Sequence, residues 1–324
     1  MTRCVGGWMV FQWLVASWVL SSSGAIGENE AGGGRMARRA LATSAAEPAP
    51  APASGRTSAQ TVFMEYIGGG GAALLDVPIA PSTGSAFDFF FILAFATDAS
   101  TTDGLFEATW QPRLSPSAIA TIKAAHPSIN FSASIGGGNP NSIFQPTSLD
   151  TWIENAVSSL SLIISAYHID AIDIDYESFG SSSPQDFATC IGELITHLKQ
   201  KGLIRVATIA PYPGTDDFYS KLWESYKHTI DYVNYQFYSL GDMVVSEYLN
   251  VYKTAKSMYK GGVVMASFET LNNGTSIVPS TGLDACKKLA AEGELHGIFI
   301  WSADQSYRNF QFERSAQSLL GTLA

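Results

Sequence analysis

Four acidic residues lie close together in the middle of the chain, in the run Asp170-Ala-Ile-Asp173-Ile-Asp175-Tyr-Glu177. A β-strand alternates its side chains between two faces, so Asp173, Asp175 and Glu177 point the same way at a spacing of about 7 Å. Neighbouring carboxylates raise one another's pKa values, which lets one of them keep a proton beside an ionised partner. The run therefore predicts acid–base chemistry, and the apolar residues between the acids argue against the alternative of a solvated acidic edge strand.

The chain around this run alternates between short apolar segments and amphipathic segments from residue 60 onward. Alternating patterns predict strands at residues 61–67, 87–96, 129–135, 169–176, 204–210, 232–238, 263–268 and 297–301. Helical spacing predicts helices at residues 115–126, 150–167, 184–201, 217–228, 246–259, 282–291 and 312–323.

Near-continuous apolar strands such as residues 89–95 are typical of a parallel sheet that is buried on both faces. Eight strands with helices between most of them predict an α/β fold of the (β/α)8 TIM-barrel type. The first helix is expected to be weak or missing, because Pro78, Pro81 and Gly84 interrupt the first crossover. An open, doubly wound sheet is the alternative, but it does not require an acidic triplet in a central strand.

Functional residues of such a barrel gather where the strands end at the carboxyl-terminal face. Besides Glu177, the predicted strand ends carry small, polar or aromatic residues: Ser134, Gly136, Gly137, Gln236, Tyr238 and Trp301. If the Trp301 indole is exposed at this face, it could form a flat floor under a sugar ring. Most of these residues also have a structural alternative, which is a tight turn for Ser134 and its glycines, a barrel cap for Tyr238 and core packing for Trp301.

The overall charge limits the class of partner. The chain carries 19 basic and 29 acidic residues, a formal net charge of -10 at pH 7. This charge would repel nucleic acids and anionic membranes, so we expect neither partner, whereas a neutral sugar meets no such objection. The five histidines show no metal-ligand spacing and no phosphate-binding loop is present, so no metal and no cofactor are predicted. We expect a monomer.

The first residues have the composition of a targeting segment. Arg3 precedes the apolar stretch Trp8–Leu20, and small residues follow at Ser21–Gly24, Ala25 and Gly27. This pattern predicts a signal peptide at residues 1–27, too short to span a membrane comfortably, and hence a secreted or vacuolar protein. The alternative is a true start at Met36. Residues 28–59 are rich in Ala, Pro and Gly and predict a disordered linker, which leaves residues 60–324 for the barrel domain.

Two cysteines, Cys190 and Cys286, would remain after removal of Cys4 with the signal peptide. An even pair in a secreted protein suggests a disulfide. The predicted barrel, however, places them on helices three steps apart around the ring, beyond the limit of about 7 Å for a bridge. We therefore predict two free, buried thiols. Asn273 begins a glycosylation sequon in a predicted loop.

Taken together, these motifs resemble glycoside hydrolase family 18, the chitinases and their relatives. The family's D-x-x-D-x-D-x-E run is matched at Asp170, Asp173, Asp175 and Glu177, and its S-x-G-G run begins at Ser134. Its tyrosine on the sixth strand and its tryptophan on the eighth are matched by Tyr238 and Trp301. The sequences at residues 65–68, 173–177, 232–238 and 296–304 look closest to the bulb-type plant chitinases.

The resemblance implies endo-acting, retaining hydrolysis of β-1,4-linked N-acetylglucosamine polymers, with the substrate's own 2-acetamido oxygen as nucleophile. It implies that Glu177 protonates the leaving oxygen and that Asp175 orients the acetamido group. Asp173 would share a proton with Asp175, and Tyr238 would donate a hydrogen bond to the acetamido oxygen. Asp170 has the opposite strand parity, so we expect it to support the start of the strand.

Three functions stay open at this point. The first is a chitinase, and the second is an endo-β-N-acetylglucosaminidase acting on glycan cores. The third is an inert lectin, storage protein or inhibitor of the same fold. The intact set of Asp173, Asp175, Glu177 and Tyr238 favours an enzyme, because inert relatives often lose one of them.

Overall fold

The computed structural model describes residues 60–98, 103–271, 274 and 276–323. The predicted signal peptide and linker, together with Cys4 and Asn273, lie outside these residues. The strands are β1 (Thr61–Ile67), β2 (Phe87–Asp98), β3 (Phe106–Ala108), β4 (Ile129–Gly137), β5 (Ala171–Tyr176), β6 (Val206–Ile209), β7 (Tyr232–Val233), β8 (Ala266–Glu269) and β9 (Gly297–Trp301).

The helices lie between these strands and after the last one. They are α1 (Pro116–Ala125), α2 (Leu149–Tyr167), α3 (Pro184–Gln200), α4 (Asp216–Tyr226), α5 (Val245–Met258), α6 (Pro279–Ala291), α7 (Ala303–Ser306) and α8 (Gln311–Gly321). Local sequence explains several helix starts. The Ser115, Ser148 and Ser183 side chains each accept a backbone N–H of the first turn, and proline follows directly at α1 and α3.

Within the described residues, eight parallel strands pair in the order β7-β6-β5-β4-β2-β1-β9-β8. A parallel bridge between Val233 of β7 and Val264, just before β8, closes the ring. The backbone N–H of Val233 donates to Val263 O and that of Met265 to Val233 O, both at 2.9 Å. The predicted (β/α)8 barrel is confirmed, and β3 is an additional strand that pairs antiparallel with the end of β2.

The first crossover of the barrel is the one that the sequence predicts to lack a helix. It contains a single 3-10 turn, Leu74–Asp76, between β1 and β2. The loop before this turn folds around the Asp304 carboxylate. That carboxylate accepts four backbone N–H groups, from Gly68 at 2.6 Å, Gly69 at 3.1 Å, Gly71 at 2.7 Å and Ala72 at 3.0 Å. One carboxylate thus pairs four backbone N–H groups of a loop that forms no helix.

One predicted element is wrong in extent. The predicted strand at residues 232–238 is a strand only at Tyr232–Val233, and a 3-10 turn occupies Phe237–Leu240. In this turn the N–H of Phe237 donates to the Tyr235 carbonyl at 2.9 Å and to the Ser267 hydroxyl of β8 at 3.0 Å, and not to a backbone carbonyl of a neighbouring strand. Strand β3 and the short helix α7 were not predicted either, since both are too brief to show a periodic pattern.

Side chains alternate along the strands between two apolar layers. The inner layer fills the barrel with Val62, Met64, Tyr66, Phe90, Ile92, Ala94, Ala171, Met265 and Phe299. The outer layer, between the strands and the helices, is much larger and includes Cys190 of α3 and Cys286 of α6. Both of these thiols are free and buried, as predicted.

The outward face of β5 anchors the acidic strand to its surroundings. Ile172, Ile174 and Tyr176 are buried on that face. The Tyr176 hydroxyl donates to Asp98 Oδ1 at 2.5 Å, and Asp98 Oδ2 accepts the indole N–H of Trp152 at 3.2 Å. The strand that carries the acids is therefore tied to β2 and α2 on the side away from them.

Removal of the Tyr176 hydroxyl tests this anchor. Tyr176→Phe leaves a buried Asp98 oxygen without its donor, so we expect the free energy of unfolding to fall by about 1–3 kcal/mol in urea denaturation. Tyr167→Phe is the matched control, since that half-buried ring packs edge-on against Trp110 at 5.0 Å. Its change should stay within about 0.5 kcal/mol. Equal losses in the two variants would show that the bond to Asp98 is not responsible.

Candidate active site

Asp173 lies at the floor of the barrel mouth and is fully buried. Its Oδ2 accepts hydrogen bonds from the Tyr66 hydroxyl at 2.8 Å and the Ser134 hydroxyl at 2.7 Å. Its Oδ1 accepts from the Thr208 hydroxyl and from Asn234 Nδ2, the latter at 3.2 Å. Burial raises the pKa of Asp173, and the four donors oppose that rise because they favour the ionised form.

Asp175 lies two residues farther along β5, on the same face and nearly buried. Its Oδ1 accepts from Gln236 Nε2 at 2.9 Å, and the same amide group donates to the Ala210 carbonyl at 2.9 Å. Burial, followed by the charges of Glu177 and Asp173, raises the pKa of Asp175 well above its usual value. Each of these effects favours the protonated form of Asp175.

Glu177 follows the end of β5 and is half-buried at the rim of the mouth. Burial raises the pKa of Glu177, and a hydrogen bond from Gln236 works in the opposite direction. A Cβ at position 138 would lie 3.0 Å from Glu177 Oε2, so the glycine there lets the carboxyl group pack against the backbone. The result is a carboxyl group whose burial favours the protonated form and whose side chain still reaches solvent.

Tyr238 lies beside the acids, although it does not end a strand as the sequence predicts. It sits in the 3-10 turn after β7, half-exposed, with its ring 6.0 Å from that of Phe299. Burial of its hydroxyl, then the charges of Asp175 and Glu177, raise the pKa of Tyr238 well above its usual value. These effects favour the protonated phenol, which can donate a hydrogen bond in the neighbourhood of the carboxyl groups.

Trp301 ends β9 and is half-exposed at the mouth, where it forms an aromatic floor. Its ring centroid lies 5.5 Å from that of Tyr66 and 6.0 Å from that of Phe95, which is stacked with it. Gly137 makes this arrangement possible, because a Cβ there would lie 2.9 Å from the Phe95 ring. The indole is therefore held by two aromatic neighbours and remains half-exposed.

Gly136 shapes the floor in another way. It has a φ of 101°, and a Cβ there would lie 2.8 Å from the backbone nitrogen of Tyr176. Only glycine allows β4 to approach β5 this closely. The predicted site residues Ser134, Gly136 and Gly137 therefore act within or directly beneath the mouth.

Asp170 is the one predicted site residue that the structure does not bring to the mouth. Its Oδ2 lies 2.6 Å from Lys123 Nζ and accepts the Phe131 N–H at 2.9 Å, just before β5. This position agrees with the structural role expected from its strand parity. A contact between Asp170 and a substrate at the mouth is excluded.

Several polar and aromatic groups of the mouth were missed from sequence, namely Tyr66, Phe95, Thr208, Asn234 and Glu269. Glu269 ends β8, is buried, and accepts from Gln305 Nε2 at 2.8 Å. Strand parity would have indicated Thr208, since it pairs with Asp173 across β5 and β6. The direction of Phe95 follows from a register shift between Ala94 and Ala96, which leaves no sequence signal.

The described residues contain no group of three or more His, Cys, Asp or Glu side chains arranged to hold a metal ion. None of the described helices is long and apolar enough to cross a membrane. The mouth instead offers a half-exposed carboxylic acid, a buried carboxyl pair behind it, a hydroxyl donor and an aromatic floor. This set suits proton transfer to a bound, uncharged ring compound.

Comparison with known proteins agrees with this geometry. The chain matches the family model described as "Glycosyl hydrolases family 18" over residues 89–269. It is 43% identical to Chitinase 1 of Tulipa saxatilis subsp. bakeri over 281 residues, which covers 81% of this chain and 88% of the relative. It is also 30% identical to the RuBisCO-associated protein of Glycine max over 159 residues, 45% of this chain and 56% of that protein.

The fold also matches solved structures. The catalytic domain of a family GH18 chitinase from the fern Peteris ryukyuensis aligns with a TM-score of 0.75 and 45% identity, over 80% of this chain and 99% of that chain. The family model matches the segment that carries the acidic run, and the tulip relative matches most of the chain. The chain belongs to glycosyl hydrolase family 18.

Proposed function

We propose that the chain hydrolyses β-1,4-linked N-acetylglucosamine polymers, cutting within the polymer and retaining the anomeric configuration. The observation that carries the proposal is the graded row of Asp173, Asp175 and Glu177 on one face of β5. Their surroundings change from fully buried to half-exposed along that row. The names of the tulip and fern relatives support chitin as the substrate class.

In the proposed reaction Glu177 protonates the glycosidic oxygen. Burial keeps its proton in place until a leaving group needs it, and its half-exposed position lets it reach a chain that lies across the mouth. After the leaving group departs, the ionised Glu177 activates a water molecule. That water opens the intermediate from the side that the leaving group left, which gives retention.

The proposed nucleophile is the 2-acetamido oxygen of the substrate. Its attack forms a ring that carries a positive charge, and the acids below are placed to stabilise that charge. Asp175 would hold the acetamido N–H, and the Tyr238 hydroxyl would donate to the acetamido oxygen. The backbone carbonyl of Ala210 accepts from the same Gln236 amide, and its side chain is only a methyl group.

The role that we propose for Asp173 differs from the proton sharing that the family resemblance implies. The four hydrogen bonds to Asp173 come from residues other than Asp175. Asp175 instead accepts a hydrogen bond from Gln236. Asp173 is therefore best suited to stay ionised. Its negative charge would then help Asp175 keep a proton before the reaction and would stabilise the charged intermediate afterwards.

We also propose that the protein is secreted or vacuolar, and the apolar stretch Trp8–Leu20 after Arg3 supports this localisation.

The proposed cleavage within the polymer rests on a mouth that is lined by half-exposed side chains, including Trp301 and Tyr238, on more than one side. An inert relative of the same fold is the competing function. One relative is named RuBisCO-associated protein, and this name is the reason to test for an inert function. Turnover of a substrate distinguishes an enzyme from an inert relative.

Substitution of the proposed acid gives the first test. Glu177→Gln keeps the shape but cannot donate a proton as readily, so kcat for a soluble N-acetylglucosamine oligomer should fall about 100- to 10,000-fold. Oligomer binding, measured by calorimetry, should stay close to that of the wild type. Glu224→Gln, at an exposed surface pair with Lys221, is the matched control and should keep full activity. Equal kcat in Glu177→Gln and wild type would contradict the role of Glu177.

The pH dependence gives the second test. Activity needs the protonated form of Glu177, and burial raises the pKa of that group, so the protonated form persists to higher pH than usual. We expect kcat/KM to fall with rising pH along a limb for one proton, with a midpoint above the usual glutamate value of about 4.3. Circular dichroism at each pH checks that the fold is intact. A midpoint at or below about 4.3 would rule out a raised pKa for the essential acid.

A mimic of the cyclised intermediate gives the third test. A thiazoline derived from N-acetylglucosamine should bind more tightly than the unreacted sugar, because Asp175 and Tyr238 contact the ring. Asp175→Asn should weaken thiazoline binding by about tenfold or more in calorimetry, since it removes a charge-assisted hydrogen bond. The exposed Asp217→Asn on α4 is the control with unchanged binding. Equal affinity of wild type and Asp175→Asn would argue against acetamido participation.

A further inference from the structure

The pairing of β5 with β6 places an additional aromatic residue beside the acid. Asp173 pairs with Thr208 and Ile174 with Ile209, and the N–H of Ala210 continues the ladder to Ile174 O at 2.8 Å. In this register Asp175 lies opposite Ala210 of the neighbouring segment. Two residues farther along both segments, Glu177 lies opposite Tyr212, and their side chains point to the same face. Tyr212 thus comes next to Glu177 at the rim.

The local structure holds Tyr212 in a defined position. Thr215 Oγ1 accepts the Tyr212 N–H at 3.0 Å and donates to the Tyr212 carbonyl at 3.0 Å. A Cβ at Gly214 would lie 2.5 Å from Tyr212 Cε2 and 3.3 Å from its hydroxyl, so the glycine provides the space in which the ring lies. The preceding Pro211 carbonyl accepts the Gln236 N–H at 2.9 Å. The ring is therefore fixed at the mouth and half-exposed.

The electrostatics of Tyr212 agree with this placement. Burial, then the charges of Glu177 and Asp175, raise the pKa of Tyr212 to about 12. Its hydroxyl therefore remains protonated, and it can donate a hydrogen bond to a sugar hydroxyl. A half-exposed tyrosine also offers an apolar ring face, so it can contact both parts of a sugar.

The position of Tyr212 in the ring of strands indicates which sugar of the substrate it would contact. Trp301 ends β9, and β9 lies four strands from β5 in either direction around the barrel. A sugar on Trp301 with its acetamido group over Asp175 presents its glycosidic oxygen to Glu177, on the opposite side of the mouth. The group that leaves lies beyond Glu177, where the segment after β6 carries Tyr212.

We infer that Tyr212 binds the leaving sugar and sets the preference of this site for a sugar as the leaving group. This inference rests on the proposed function, and it adds the residue that recognises the other side of the scissile bond. Tyr212 takes no part in the proton transfer. Its contribution is binding of the leaving sugar up to and including the transition state.

Two substrates that place the same sugar on the Trp301 side but differ in their leaving group distinguish binding of the leaving sugar from a general effect on activity. The first is the N-acetylglucosamine trimer, and the second is chitobiosyl fluoride, whose leaving group is a single atom. Tyr212→Ala should lower kcat/KM for the trimer by about tenfold or more, and Tyr212→Phe by about two- to tenfold. Both should stay within about twofold of wild type for the fluoride.

Two further variants control the experiment. Gly214→Ala displaces the Tyr212 ring without truncating it and should reproduce the selective loss for the trimer. Tyr226→Phe is the matched control, because that ring also packs over a glycine, Gly192, and its hydroxyl donates to Glu193 Oε1 at 2.9 Å on the outer helices. It should leave both substrates unaffected.

The pH profile distinguishes binding of the leaving sugar from an effect on the acid. The alkaline limb for the trimer should keep its wild-type midpoint in Tyr212→Phe, because Glu177 is unchanged. Equal losses for trimer and fluoride, no loss for the trimer, or a displaced limb would each overturn the role of Tyr212 while leaving the proposed function intact. Absence of any turnover by the wild type would overturn the proposed function, and this inference with it.

Discussion

The hydrogen bonding of Asp173 is the constraint on which the rest of the barrel mouth depends. A fully buried carboxylate costs several kcal/mol unless donors surround it. Here the donors come from Tyr66 of β1, Ser134 of β4, Thr208 of β6 and Asn234 just after β7. A slip of one residue in any of these strands would turn its donor away and leave the charge exposed to apolar surroundings. One side chain therefore links the register of four strands to that of β5.

This constraint explains how a strand with three like charges on one face can be stable. The repulsion acts on the inner face, while Ile172, Ile174 and Tyr176 are buried on the outer face. The bond from Tyr176 to Asp98 adds a polar anchor on that side. Burial of the outer face and the four hydrogen bonds to Asp173 offset the repulsion. Burial raises the pKa of both Asp175 and Glu177, and the charges of Glu177 and Asp173 raise that of Asp175 further. The proton needed for chemistry thus follows from the same packing that holds the strand.

The parts of this arrangement that are local in sequence could be predicted, and the parts that depend on neighbouring strands could not. Alternation along β5 is local, so the common face of the acids and the outward direction of Asp170 and Tyr176 followed from the sequence alone. Tyr238 was expected at a strand end, but its segment forms a 3-10 turn in which the Phe237 N–H donates to the Tyr235 carbonyl and to the Ser267 hydroxyl of β8. Phe95 reads as one more apolar residue in a buried strand. Its exposure at the mouth results from a register shift against β4.

The mouth consists of two regions with different physical demands. The first is the floor formed by the buried Asp173 and its four donors, where a substitution disturbs several strands at once. The second, nearer the solvent, carries the half-exposed side chains of Glu177, Tyr238, Trp301 and Tyr212. Among these, Glu177 and Tyr238 are restricted by the proposed chemistry, whereas Tyr212 lies in a loop whose position is set by Thr215 and Gly214. Changes in preference for the leaving group can therefore arise at that loop without altering the floor, because rim loops vary more freely than the strands that carry them.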